Sequence, residues 1–224
     1  MTCTPMTCTP PRLAGLAALG AAALLAGPAA PADAARMHGT FQIEPGRVTA
    51  SGVSGSHFRL RFPGGRAFFR NSDSPARDKT YTLIRPGTAG GLVSDRYQRP
   101  AGRPFDRDGN SRAAAIIRPI PFAGIRFGLM TLAVDPQSRR RNSVPAIVRS
   151  GQRLRGHLAG VTAGWNGTYF NQGTPKPGAS GLRAIGSYDP RTRRFVLRWS
   201  SRVQGGAFNN FVGFWTLTGR FVPR

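Results

Sequence analysis

Apolar and polar residues alternate along the chain in short runs. Glycine and proline cut these runs roughly every 8–12 residues, the spacing of an all-β sandwich or barrel. The last third is clearest. Residues 181–188 (GLRAIGSY) predict a strand, and Asp189-Pro190-Arg191-Thr192 a turn, because proline presets φ at the second turn position. Residues 194–203 (RFVLRWSSRV) predict the next strand. There Phe195, Leu197, Trp199 and Val203 share one face, and Arg194, Arg198 and Arg202 the other, since strand side chains alternate. After a loop at 204–210, residues 211–222 predict a last strand with Phe211, Trp215, Leu217 and Phe221 in phase. Three such runs with short connections make an antiparallel meander.

Earlier strands are expected over 39–43, 56–62, 80–85, 113–118, 125–134, 146–149 and 153–163. Pro119 and Pro121 bend or end the strand before Ile125. Residues 113–117 also fit a helical turn, and at most one short helix is expected. Heptads and a convincing amphipathic helix are lacking. The polar run 135–142 (DPQSRRRN) is short enough for a loop and does not divide the chain. The expectation is one all-β antiparallel domain, a sandwich or a barrel, over 35–224.

Residues 1–34 read as a secretory signal peptide. Arg12 precedes an apolar run, 13–25 (LAGLAALGAAALL), which Gly27 and Pro28 break. Ala32 and Ala34 supply the small residues of a cleavage site. The run is short of the roughly 20 residues that a membrane span needs. The tandem MTCTPMTCTP leaves Met1 or Met6 as the start, and it holds both cysteines, Cys3 and Cys8. The exported form therefore has no disulfide, no thiolate nucleophile and no cysteine metal site.

Charge narrows the partners. The chain has 32 Lys+Arg against 9 Asp+Glu, a formal net charge of +23. Removing 1–34 takes one cation (Arg12) and one acid (Asp33), so +23 remains. Lys79 and Lys176 are the only lysines and Glu44 the only glutamate. High-GC codon usage accounts for arginine over lysine, but not for the scarcity of acids. Such a balance favours polyanions: nucleic acid, envelope polymers or anionic lipid. No specific nucleic-acid motif is present. Arg59 and Arg61, Arg153 and Arg155, and Arg198 and Arg202 alternate along three predicted strands. They form a basic face if those strands are neighbours, and are ordinary solvent-facing residues if not.

Catalytic signatures are missing: no G-x-S-x-G elbow, H-E-x-x-H helix, P-loop or dinucleotide-binding glycine pattern occurs. Paired-carboxylate hydrolysis needs two positioned acids, and none stands out. Asp106-Arg107-Asp108-Gly109-Asn110 lacks the later ligands of a calcium loop and reads as a turn. His57 and His157 share strand faces with arginines, which oppose a bound cation. No metal or cofactor is implied.

The stretch 164–178 (GWNGTYFNQGTPKPG) sets Trp165, Tyr169 and Phe170 beside Asn171 and Gln172. Aromatics with amides suit a sugar-binding surface, the rings stacking and the amides bonding hydroxyls. The same residues also suit an aromatic-anchored loop plugging the end of a β core. A second such cluster is Phe208-Asn209-Asn210-Phe211.

The stretches 78–92, 165–178, 186–201 and 205–222 together resemble a group of secreted bacterial proteins, largely of high-GC origin, with no assigned activity. The resemblance implies export and a single β-rich unit, and it transfers no site. The expected function is an exported, non-enzymatic binding or surface-associated domain for an anionic polymer or glycan of the cell envelope. The alternative is a secreted hydrolase of wall or extracellular polymer.

Overall fold

In a computed structural model of the protein, residues 34–224 are described; the expected leader lies outside them except for Ala34. The Asp189 turn begins the architecture. The Asp189 carboxylate accepts hydrogen bonds from the Arg191 backbone N–H (2.9 Å) and the Thr192 hydroxyl (2.7 Å), which closes the chain back on itself. The runs either side of the turn pair antiparallel as the alternation requires.

In chain order the strands are β1 (Ala35–Arg36), β2 (Gly39–Ile43), β3 (Arg47–Thr49), β4 (Gly52–Ser54), β5 (His57–Arg61), β6 (Thr82–Leu83), β7 (Gly91–Val93) and β8 (Ile120–Phe122). Then follow β9 (Ile125–Thr131), β10 (Ala146–Ser150), β11 (Arg153–His157), β12 (Val161–Trp165), β13 (Thr168–Asn171), β14 (Ala184–Tyr188), β15 (Arg194–Arg202) and β16 (Val212–Pro223). The described residues contain no α-helix.

The main sheet runs β1-β10-β11-β14-β15-β16-β2-β7, with β5 also on β16 and β6 on β5. One edge of the long β16 is shared: Val212 to Thr216 pair with β5, and Gly219 to Pro223 with β2. The sheet curls into a half-barrel. Its inner face carries Phe58, Leu154, Phe195, Leu197, Trp199, Trp215 and Leu217, all buried. A second sheet, β13-β12-β9-β8, brings Phe122, Phe127, Leu129, Val161 and Phe170 to the same core. The fold is therefore all-β and antiparallel, as the pattern predicts. Pro121 sits in β8, an edge strand of the small sheet, where a missing N–H is tolerated.

Three expected elements differ. Residues 113–118 form no strand. Ala113, Ile116 and Ile117 are buried, and the segment bonds irregularly to 85–89 through contacts such as Gly87 N–H to Ile116 O (3.0 Å). The run 153–163 breaks at Leu158, whose N–H turns to Thr174 O (2.6 Å), so β11 joins the main sheet and β12 the small one. The expected strand 80–85 shrinks to Thr82–Leu83.

Candidate functional site

Register decides whether the arginine rows meet. Across the outer face, Arg155 faces Ile185, Ile185 faces Arg198, Arg198 faces Thr216, and Thr216 faces His57. A parallel row runs Arg202, Val212, Arg61. The rows thus lie on alternate strands of one face, two strand spacings or roughly 9–10 Å apart. Outward positions on β5, β11, β14, β15 and β16 carry arginine, histidine, or uncharged residues, and no acid. Arg153, Arg155, Arg198 and Arg202 are exposed. Of the ion pairs among the described residues, those of Arg36 and His38 with Asp95 lie off these five strands, and that of Arg194 with Glu44 lies at the start of β15 on this face.

Arg59 and Arg61 belong to the same face but are half-covered. The Arg59 guanidinium lies 3.4 Å from the Phe68 ring centroid and 4.3 Å from that of Tyr81, and it donates to the Thr80 hydroxyl (3.1 Å). Arg61 lies over Phe214 at 4.9 Å. The Nε atoms of both are buried without a partner. Arg59 holds the 66–82 segment onto β5 by cation–π contact, and Arg61 packs on the neighbouring β16 in the same way. The freely presented part of the face is therefore Arg153, Arg155, Arg198 and Arg202.

The histidines fit this surface. His57 donates from Nδ1 to Gly55 O (3.1 Å). Burial, and then the charges of Arg59 and Arg198, lower its pKa below 6.5 against the pull of that carbonyl. His57 is thus a neutral residue within the cationic field.

The aromatic and amide stretch is not a loop but the β12–β13 hairpin. Asn166 (φ 49°) and Gly167 (φ 66°) form its two-residue turn, both in the left-handed region that such hairpins require. Trp165 is half-buried and donates Nε1–H to Phe122 O (2.8 Å). Tyr169 is half-buried against Phe105, ring centroids 5.2 Å apart, and burial raises its pKa. Phe170, Asn171 and Gln172 are buried.

The amides serve the protein itself. Asn171 Nδ2 donates to Ala159 O (2.9 Å), and its Oδ1 accepts from the Gly173 N–H (2.9 Å). Gln172 Oε1 accepts from Trp215 Nε1–H (3.2 Å), and its carbonyl accepts from Trp199 Nε1–H (2.8 Å). Between the sheets, Trp165, Phe170 and Gln172 line a cavity of about 40 Å³ with Phe58, Phe122 and Phe208. That space is apolar and too small for a sugar ring. The geometry is that of a plug, with only Trp165 and Tyr169 partly open.

All the described acids except Asp108 are likewise engaged in holding the chain. Asp73 accepts from the Gly124 N–H (2.8 Å), Asp106 from the Asn110 N–H (2.8 Å), and Asp135 from the Gln137 N–H (3.1 Å). Asp78 accepts from the Thr80 N–H (3.0 Å) and Glu44 pairs with Arg194. The 106–110 segment is a turn organised by Asp106.

Lys176, which the sequence reading passed over, completes the Asn171 network. Its Nζ donates to Asn171 O (2.8 Å) and Oδ1 (3.2 Å). Burial lowers its pKa from 10.5 to about 8, with Asp135 opposing. Between about 8 and 10.5 the unfolded chain holds a proton here that the folded chain has released, so this group makes stability rise with pH across that window. With only two lysines in the chain, ¹³C-lysine labelling gives few Cε signals and leaves the ammonium groups unaltered. One of them is expected to titrate near 8 and to vanish in Lys176→Arg; no midpoint below 9.5 would contradict this environment.

Compared with known protein families, curated proteins and solved structures, the chain matches none.

Proposed function

We propose that the protein is an exported, non-enzymatic domain that binds anionic polymers on the outer face of its main sheet. The observation that carries this reading is the register joining Arg155 to Arg198 through Ile185, which concentrates exposed guanidinium groups on strands whose outward positions carry no acid. At physiological salt the Debye length is about 8 Å, so neighbours along a strand such as Arg153 and Arg155, roughly 7 Å apart, reinforce one another, and the rows lie little more than one screening length apart. Export follows from the leader pattern, and cleavage before Ala35 would leave every strand of the described residues intact, since β1 starts there. The glycan reading loses support from the buried amides, and the hydrolase reading from acids of which all but Asp108, among the described residues, already hold turns or ion pairs.

The test is the salt dependence of binding to mixed-sequence duplex DNA. Each phosphate neutralised contributes about −0.9 to the slope of log K against log salt. Replacing Arg153, Arg155, Arg198 and Arg202 with Gln is expected to flatten the slope by about 3–4. Arg103, Arg107 and Arg126 are exposed and lie on or beside the small sheet, away from this face. Changing those three to Gln is expected to flatten the slope by less than about 1. The loop residues Arg139, Arg140 and Arg141 are a poorer control, because Arg141 lines a pocket with His157 at the end of β11. Equal losses from the two sets would mean diffuse charge and would end the basic-face reading.

A further inference from the structure

The basic row on β11 does not stop at the sheet edge. Arg153, Arg155 and His157 alternate outward along the strand, and His157 reaches a polar pocket of about 200 Å³. Arg141, Asn142, Ser143, Lys176 and the Gly178 backbone line the rest. The volume far exceeds the roughly 10–15 Å³ that one water requires. The lining is cationic and rich in donors, and no acid lines it. The nearest acid acting on Lys176 is Asp135, whose Oδ1 is held by the backbone N–H groups of Gln137 (3.1 Å) and Ser138 (2.5 Å).

Lys176 and His157 keep donor capacity for a ligand. Lys176 uses Nζ on the two Asn171 oxygens and keeps a third donor. Ser143 Oγ lies 2.9 Å from His157 Nδ1. A serine O–H donated to Nδ1 leaves the ring proton on Nε2, which makes no hydrogen bond to another described residue. Burial holds the His157 pKa below 6.5, so the neutral ring is a donor without adding charge. Asn142 turns its amide inward: it is 7% exposed, its Nδ2 donates to Leu132 O (3.1 Å), and its Oδ1 is buried. The charged and donor groups of the lining, Arg141, Lys176 and His157, call for a ligand rich in acceptor oxygens and negative charge.

We propose that this pocket is a subsite for a terminal phosphate monoester of the anionic polymer that lies along the basic face. A phosphate monoester offers acceptor oxygens to Arg141, Lys176 and His157. With a second pKa near 6 it is largely dianionic at neutral pH. A sulfate monoester has the same shape and a single negative charge, so it gains less from the Arg141 and Lys176 cations. The subsite rests on the polyanion reading for its biological ligand, but its chemistry is local and separable from the face.

Phenyl phosphate and phenyl sulfate are the small probes, read by NMR at the His157 ring and the Lys176 ¹³Cε of protein labelled with ¹³C-lysine. Phenyl phosphate is expected to shift both signals and to raise the His157 midpoint, with at least about tenfold tighter binding than phenyl sulfate. Arg141→Gln and His157→Gln, both at exposed or half-exposed positions, are expected to weaken phenyl phosphate about tenfold each. A single-stranded oligonucleotide with a 5′-phosphate is expected to bind more tightly than its 5′-hydroxyl twin, and Arg141→Gln should erase that difference. Equal binding of phosphate and sulfate esters, or no shift at His157 and Lys176, would overturn the subsite. If the two oligonucleotides bind alike while the strand arginines still set the salt slope, the subsite falls and the basic face stands. If phenyl phosphate binds as expected while the strand arginines have no effect, the subsite stands and the face falls.

Discussion

Replacing Trp215 with alanine is expected to lower the unfolding free energy by about 3–5 kcal/mol, the usual cost of deleting a large buried aromatic. At this chain length that is a fall of roughly 6–20 °C in Tm. Trp215 is 1% exposed and stacks on Trp199 with ring centroids 5.6 Å apart and planes 7° apart. Its other side meets Phe58 at 4.3 Å, and Phe127 approaches edge-on. Its indole N–H holds Gln172 Oε1, so truncation opens a cavity and also frees a buried acceptor. The β16 position matters as well, because Trp215 pairs with Trp199 on β15 and with Phe58 on β5. Trp215→Phe keeps the ring stack and loses the N–H, so it should cost distinctly less. Ile185→Ala, on the outer face and 63% exposed, should change stability by less than about 0.5 kcal/mol. Chemical denaturation followed by tryptophan fluorescence measures all three. A near-neutral Trp215→Ala would show that the inner face of β16 does not carry the core.

The meander that holds Trp215 was legible because β14, β15 and β16 alternate cleanly and join through short turns. In β15 the period of two places Phe195, Leu197 and Trp199 inside and Arg194, Arg198 and Arg202 outside, and the structure has them so. The limits of β2 were legible for the same reason. What lay beyond the pattern was non-local. Nothing in the 39–43 or 56–62 runs tells that both strands pair with the same edge of β16. The run 153–163 looked continuous because both halves are apolar on alternate positions; the break at Leu158 comes from tertiary hydrogen bonding with Thr174. The 113–118 segment has the apolar content of a strand, yet its backbone bonds irregularly to 85–89, where Gly87 lets the Ala114 carbonyl approach closely.

The candidate site divides along the same line. Which arginines share a strand face was readable from alternation, but whether the rows joined depended on strand order. That Phe68 and Tyr81 would cover Arg59 was also hidden, since those rings come from a segment without regular structure. The hairpin at 164–178 did carry a local signal: Asn166-Gly167 between alternating runs marks a two-residue turn. Lys176 carried one too. Among 32 Lys+Arg, two are lysines, so a lysine stands out where arginine is the rule. Its compact ammonium fits the two Asn171 oxygens, where a planar guanidinium would not.

Asn171→Ala is expected to destabilise the fold by about 3–5 kcal/mol, at the upper end for a single substitution. The removed volume is small, so the cause is polar. The side chain is fully buried and joins three elements: Ala159 before β12, Gly173 after β13, and Lys176. Alanine leaves the Ala159 carbonyl and the Gly173 N–H without partners, each costing about 1–3 kcal/mol. It also strips one acceptor from a buried ammonium that already pays in pKa for its burial. Asn171→Asp separates these effects. The carboxylate keeps the acceptor for Gly173 and Lys176 but loses the donor to Ala159. A negative charge beside Nζ favours the protonated lysine, so the Lys176 midpoint should climb from about 8 toward its ordinary value. Stability should then rise less with pH between about 8 and 10.5 than in the unaltered protein, because folded and unfolded chains would hold that proton more equally. Denaturation at pH 7 and 10, with the ¹³Cε titration of Lys176 alongside, checks both. An unchanged Lys176 midpoint in Asn171→Asp would mean that Asn171 does not govern this cation. A loss under 1 kcal/mol in Asn171→Ala would mean that the β12–β13 hairpin is held by its aromatic residues alone.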